Sequence, residues 1–328
     1  MEPKTAIITG ANSGIGKAAA FKFAAAGHAV IMACRSPERS RPIQSEIIGK
    51  TANDKVFLEE LDMASFESIR AFCRLYQTKY SELDILIHNA AYVSHGQPYQ
   101  LSSDGIELTF ATNVFGPFLM TMLLRDLLAR SDDPRILHAG SNIIKHFFDP
   151  KKAIDFSDLQ GESEDHSNHS VYISYRNSKM ALLMLTFLLA KEFEQAGIKV
   201  NYLQINGAKL SKETLAKFTP RWRAIGRVQN MFLRRPEFMA GLYFDICTSD
   251  AFKEISGKAI NHRLEIMQPE PAEKGFVMEI KQPLGADFYP AYAHREDVSN
   301  KLLQLCSNLC VPFNQNSPSE HKEPGILK

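Results

Sequence analysis

The chain has 328 residues, enough for one elaborated α/β domain or two smaller ones. Apolar residues make up 45% and charged residues 23%, which excludes a fully disordered chain. Lys and Arg number 38 against 37 Asp and Glu, so no global electrostatic footprint for nucleic acid exists. In chain order, Ala6–Ile8, Ala29–Ala33, Val56–Leu58, Ile85–Ile87, Ile136–Ala139 and Val200–Ile205 read as buried strands. Periodic helical segments fill the gaps: Gly16–Ala26, Ser65–Tyr80, Leu119–Arg130 and Ser178–Gln195. Strand–helix–strand units at this spacing predict an α/β, Rossmann-type doubly wound parallel sheet with helices on both faces. Ala259–Ile266 reads as a last strand, and a polar tail follows from Pro312. One domain is expected over residues 1–311, with a flexible tail at 312–328.

The five cysteines, Cys34, Cys73, Cys247, Cys306 and Cys310, contain no Cys-x-x-Cys pair, and the ten histidines lack ligand spacing. Free thiols in a reducing compartment and no metal are therefore expected. A strand-like run, Thr5–Thr9, follows Met1 almost at once, where a leader would need a longer apolar stretch. Met180–Ala190, the longest nearly unbroken apolar run at eleven residues, is too short to span a bilayer. A cytoplasmic protein without a transmembrane segment is expected.

The first strand runs into Thr9-Gly10-Ala11-Asn12-Ser13-Gly14-Ile15-Gly16, where a helix begins. Glycines in a strand–loop–helix unit let backbone N–H groups approach a pyrophosphate, and the helix N-terminus adds positive dipole. Gly10, Asn12, Ser13, Gly14, Ile15 and Gly16 are the candidate phosphate-binding residues. A carboxylate after the second strand would hold the ribose 2′-hydroxyl of NAD. Here Cys34 is followed by Arg35, whose planar fork suits a 2′-phosphate, so NADP is favoured and NAD stays open. Asp62, after the third strand, is placed to reach an adenine edge or to cap the next helix.

Tyr175 and Lys179 stand four apart on one helix face. With ten tyrosines, on the order of one Tyr-x-x-x-Lys match arises by chance in this length. The pair gains weight from the nucleotide loop, from Asn113, and from Ser141 at a strand end. Taken in order, Thr9-Gly-x-x-x-Gly-x-Gly16, Asp62, Asn89-Ala90, Asn113, Ser141 and Tyr175-x-x-x-Lys179 resemble the short-chain dehydrogenase/reductase family over roughly residues 5–265. Within it, the retinol-dehydrogenase-like and WW-domain-oxidoreductase-like branch is most similar. Ala33-Cys34-Arg35, Asp155-Phe156-Ser157-Asp158-Leu159, Tyr175-Arg176-Asn177-Ser178-Lys179 and Ser256-Gly257-Lys258 carry that resemblance.

The resemblance implies a seven-stranded parallel sheet and an oxidoreductase that moves a hydride between nicotinamide and a carbonyl or alcohol. Tyr175 would be the acid or base, and Lys179 would lower its pKa and hold the nicotinamide ribose. Ser141 would bond the substrate oxygen, Asn113 would hold a relay water, and Asn89 would join the cofactor site. A free tyrosine titrates near pH 10, so working near pH 7 asks for roughly 4 kcal/mol of differential stabilisation. The family's Asn-Asn-Ala-Gly stretch appears as His88-Asn89-Ala90-Ala91, and its Pro-Gly as Asn206-Gly207, with Ser211 in place of the usual Thr. These departures leave open a nucleotide-binding scaffold or sensor without turnover; an NAD-dependent alcohol dehydrogenase is the alternative within the class.

The segment expected to form the substrate lid spans about 207–245. Its part Lys217–Phe238 mixes Lys217, Arg221, Arg223, Arg227, Arg234 and Arg235 with Trp222, Ile225, Val228, Met231, Phe232 and Leu233, against one acid, Glu237. Those apolar residues suggest a lipophilic small-molecule substrate. Peripheral membrane contact and self-association stay open.

Overall fold

The computed structural model describes residues 2–93, 97–163, 166, 169–216, 218–231, 233–271 and 285–310. The expected tail at 312–328, and Lys217 and Phe232 of the lid segment, lie outside the described residues.

Seven strands form one parallel sheet: β1 (Thr5–Thr9), β2 (Ala29–Cys34), β3 (Val56–Glu60), β4 (Ile85–His88), β5 (Arg135–Ala139), β6 (Lys199–Leu203) and β7 (Lys258–Ile260). Their order is β3-β2-β1-β4-β5-β6-β7, with every neighbouring pair parallel. The winding reverses between β1 and β4, the crevice where open α/β sheets bind ligands. Alternating side chains enter opposite layers: Ile7 joins one apolar cluster, while Ala6 and Ile8 join the other.

On one face lie α1 (Gly14–Ala25), α2 (Pro37–Thr51) and α9 (Pro236–Thr248), which bury Phe23, Ile47, Met239 and Tyr243. On the other lie α3 (Phe66–Lys79), α5 (Gly116–Leu128) and α6 (Val171–Glu192). A C-terminal helix, Glu296–Cys310, packs its Leu302, Cys306 and Cys310 into that second layer. Both faces being covered explains why the strands read as apolar runs without alternation. All five cysteines are buried free thiols.

Several boundaries differ from the sequence expectation. α6 begins at Val171, seven residues before Ser178, so Tyr175 and Lys179 both sit inside regular helix. β6 ends at Leu203, not Ile205, although the Gln204 N–H still donates to the Ile260 carbonyl beyond it. The last strand stops at Ile260: Leu264 has a left-handed backbone, and the chain folds back so that Ile266 bridges Ile260 antiparallel. Residues 236–245, assigned to the lid segment, belong to α9, which packs against α1 in the core.

Candidate active site

β1 delivers the chain to Gly10, whose φ is +66°, and Gly14 repeats the left-handed turn at +54°. The Gly10 N–H returns to the Ala33 carbonyl at 2.8 Å, tying the loop to β2. Gly16 lets α1 seat against the loop, since a Cβ there would lie 2.3 Å from the Gly10 carbonyl oxygen. Ser13 enters α1 in extended conformation without closing a side-chain cap, and the first turn holds no acid. The helix therefore presents open N–H donors and the positive end of its dipole beside exposed Ser13 and Gly14, an environment that fits a pyrophosphate.

Two residues expected at the cofactor site brace this loop through their side chains. Asn12 Nδ2 donates to Ser40 Oγ at 2.9 Å, and that hydroxyl donates to the Ser36 carbonyl. Asn89 Nδ2 donates to the Thr9 carbonyl at 2.9 Å, and its Oδ1 accepts from the Tyr243 hydroxyl at 3.2 Å. Thr9 Oγ1 in turn accepts from the N–H groups of Asn89 and Ala90, both at 2.9 Å. Ala91, where the family pattern has glycine, is exposed, so its methyl collides with nothing inside the protein.

Arg35 is exposed immediately after β2, next to the phosphate loop. Asp62 is half-buried beyond β3, and its Oδ1 accepts from the Ala64 N–H at 3.0 Å. The cap of α3 is Ser65, whose hydroxyl accepts from the Ser68 N–H; this leaves the second Asp62 oxygen without that duty.

The four candidate catalytic residues come from three parts of the chain, the turn of Asn113, the corner after β5 that holds Ser141, and α6 with both Tyr175 and Lys179, and converge at the C-terminal edge of β4 and β5. Asn113 lies in a widened π-type turn, Ala111–Phe115, between a short α4 (Leu108–Phe110) and α5, and is fully buried. Such π-bulges often mark functional sites. Its Oδ1 accepts from the Tyr92 N–H at 2.8 Å, and its Nδ2 donates to Ser178 Oγ at 3.0 Å. Ser178 Oγ donates to the Tyr175 carbonyl at 2.9 Å, so Asn113 is joined to the helix turn that carries Tyr175.

Lys179 is buried, and its Nζ donates to the Ala139 carbonyl at 2.7 Å and lies 5.7 Å from the centroid of the Tyr175 ring. An ammonium carries three N–H donors, so two remain for the hydroxyls of a bound ribose. Burial alone pushes this amine down from 10.5 to about 7. Ser141 Oγ accepts from the Ile143 N–H at 3.2 Å and is hydrogen-bonded to the half-buried Tyr175 phenol. Burial pushes that phenol up, and the Ser141 hydrogen bond pulls it down. The downward pull expected from Lys179 is weakened, because an amine titrating near 7 carries only part of a charge at neutral pH.

The loop after β6 replaces proline rigidity with hydrogen bonds. Asn206 Nδ2 lies 2.7 Å from His262 Nδ1, and Asn206 Oδ1 accepts from Gln204 Nε2 at 3.2 Å. Ser211 does not stand free: its hydroxyl accepts from the Thr214 N–H and opens the short α7 (Lys212–Ala216). Arg223 of α8 (Pro220–Gln229) donates to the carbonyls of Leu215, Ala216 and Phe218, which closes the end of α7. Asn230 exchanges two hydrogen bonds with the main chain of Leu210, both at 2.8 Å, and so staples the base of this lid. The Trp222 ring stacks on Tyr172 at 6.0 Å, beside exposed Ile173 and Ile225.

Ser40, Ser178, Tyr202 and Tyr243 escaped the sequence reading, because their roles depend on contacts between distant elements. Only Gly140, a glycine beside Ser141 where no turn was expected, hinted at a close approach. Among the described residues no cluster of three or more His, Cys, Asp or Glu could hold a metal. Among them no helix is long and apolar enough to cross a membrane.

A doubly wound sheet with a glycine loop at its switch point and a tyrosine–lysine–serine centre beside it defines an NAD(P)-dependent oxidoreductase. The family model described as short chain dehydrogenase matches residues 4–147. Retinol dehydrogenase 13 of Homo sapiens is 31% identical over 289 residues, covering 87% of this chain and 83% of that protein. The WW domain-containing oxidoreductase of Danio rerio is 34% identical over 203 residues, covering 62% of this chain and 48% of that one. A solved short-chain dehydrogenase from Shigella flexneri, complexed with NADP, superposes with a TM-score of 0.61 at 21% identity, covering 80% of this chain and 98% of that one. The chain belongs to the short-chain dehydrogenase/reductase family, in its retinol-dehydrogenase-like branch.

Proposed function

We propose that the protein is an NADP-preferring reductase or dehydrogenase acting on a hydrophobic carbonyl or alcohol, with Tyr175 as the acid or base. One observation carries the reading: the hydrogen-bonded Tyr175–Ser141 pair stands beside the buried Lys179 amine, at the end of β5 and one strand from the switch point of the sheet. Arg35, exposed directly after β2, a strand that ends in Cys34 and not in an acid, supports a 2′-phosphate ligand over a free 2′-hydroxyl. Bound NADPH would supply the hydride and its electron pair.

The chain's own groups divide the remaining work. Ser141 Oγ orients the substrate oxygen, and Tyr175 gives it a proton during reduction or takes one during oxidation. Lys179 directs its two remaining N–H donors to the ribose and adds positive charge beside the phenol when protonated. Asn113 and Ser178 hold the turn of α6 that sets the height of Tyr175. The relatives named retinol dehydrogenases, together with the lid residues Trp222 and Ile225 and with Ile173 of α6, support a lipophilic substrate.

The test is a fluorescence titration of the purified protein with NADPH and, separately, NADH, followed by a carbonyl screen that begins with retinal. Tighter NADPH binding and NADPH consumption with a hydrophobic aldehyde or ketone are expected. Equal or better NADH binding would overturn the cofactor preference; binding of neither nucleotide would overturn the enzymatic reading.

A further inference from the structure

Tyr202 stands on β6, opposite the Gly140–Ser141 corner that follows β5. Its ring is fully buried. Its hydroxyl accepts from the Ser141 N–H at 2.9 Å and donates to the Ser141 carbonyl at 3.3 Å. One phenol thus bonds both main-chain groups of a single residue; its loss would leave the buried Ser141 N–H unpaired and the Ser141 carbonyl with only the long 3.5 Å bond from the Ile144 N–H. The ring also fills the space that a side chain at position 140 would need, since a Cβ there would lie 2.0 Å from Tyr202 Cζ. Gly140 and Tyr202 are therefore a matched pair: the glycine admits the ring, and the ring delivers its hydroxyl to the next residue.

We infer that Tyr202 is a positioning residue, clamping the Ser141 backbone so that Ser141 Oγ meets the Tyr175 phenol; this rests on the hydride-transfer reading above. Ser141 Oγ has only light local restraint of its own, a 3.2 Å bond from the Ile143 N–H. Gly140 and Asn142 stay tied through their N–H groups to the Leu203 and Ile205 carbonyls, so removing the Tyr202 hydroxyl lets the Ser141 peptide between them tilt toward another partner, and Oγ moves with it. Ser141 and Tyr175 then fall out of alignment while the sheet, the phosphate loop and Lys179 stay where they are.

The groups that bear on Tyr175 are Ser141, Lys179, Tyr202 and Tyr243, and His138, beside His88, faces Lys179 from the strands beneath. Only the Ser141 contact changes when Tyr202 loses its oxygen, because the ring itself remains. The hydrogen bond from Ser141 lowers the Tyr175 pKa, so its loss moves the phenol upward.

Tyr202→Phe keeps the ring against Gly140 and is expected to fold with an unchanged KM for NADPH. Its kcat falls about 10- to 100-fold, the range typical of a misaligned reacting pair. In the alcohol-oxidation direction, where Tyr175 acts as base, the rise of kcat/KM with pH shifts to higher pH. Hydrogen–deuterium exchange across residues 139–143 quickens in the variant, a readout that needs no substrate. A wild-type kcat and pH profile would overturn the inference. So would a drop in activity that follows lost thermal stability with the pH profile unmoved, because that pattern marks a merely structural tyrosine. Turnover surviving in Tyr175→Phe would instead overturn the underlying reaction and leave the exchange result as the judge of the clamp.

Discussion

Replacing Lys179 with Met should make the protein more stable and inactive at once. The amine is 2% exposed, and burial alone lowers it from 10.5 to about 7. At about 1.4 kcal/mol per pH unit, that displacement corresponds to a destabilisation on the order of 5 kcal/mol in the folded state. Methionine removes it and forfeits the hydrogen bond to the Ala139 carbonyl, worth about 1 kcal/mol. A net gain of several kcal/mol at pH 7 is expected, read as a Tm rise of about 5 °C or more.

The sign of the pH dependence follows from protons bound. Below about 7 both folded and unfolded chains hold the proton, so the folded state carries the whole penalty. Between about 7 and 10.5 the folded chain is neutral while the unfolded chain is still charged, so the penalty shrinks as pH rises and is gone above 10.5. The stability advantage of Lys179→Met should therefore be largest at and below pH 7 and smaller at pH 9. Thermal unfolding of both proteins without cofactor, at pH 6, 7, 8 and 9, measures it. A variant less stable than wild type at pH 7, or a difference independent of pH, would refute the reasoning.

Two further substitutions probe the cofactor site. If Arg35 holds the 2′-phosphate as proposed, Arg35→Ala removes a charge-assisted, forked contact worth about 1.5–3 kcal/mol, so the Kd for NADPH should rise about 10- to 100-fold while that for NADH stays nearly constant. Fluorescence titration separates the two nucleotides, and parallel weakening of both would remove Arg35 from the 2′-phosphate site. Gly16→Ala forces a methyl to within 2.3 Å of the Gly10 carbonyl oxygen and 2.5 Å of Asn89 Nδ2. Overpacking of this kind costs about 1–3 kcal/mol and should lower Tm by a few degrees while weakening NADPH and NADH alike.

Much of the sheet was legible because strands covered on both faces read as short apolar runs, as Ala29–Ala33 and Ile136–Ala139 do. The order and pairing of site residues were legible too, since the glycine loop and the four-residue spacing of Tyr175 and Lys179 are local features. What escaped was set by contacts across the fold. Helix α2 is polar, begins at Pro37, carries Pro42 inside, and buries only Ser40 and Ile47, so its sequence shows little periodicity. The widened turn around Asn113 arises from how α4 meets α5, which no spacing in the sequence announces. Asn12 and Asn89 have the residue type of ligand-binding amides, yet their side chains are engaged by Ser40, Thr9 and Tyr243, all from other elements. The reach of Tyr202 to Ser141 spans 61 residues and depends on the β5–β6 register.

The proposed reaction turns on Tyr175 transferring the proton that accompanies hydride delivery. The most direct measurement compares wild type with Tyr175→Phe for NADPH binding and for NADPH consumption with the best carbonyl of the screen. Unchanged Kd for NADPH and unchanged Tm are expected, with turnover reduced by at least about 100-fold. Turnover near the wild-type rate in Tyr175→Phe would contradict that reaction.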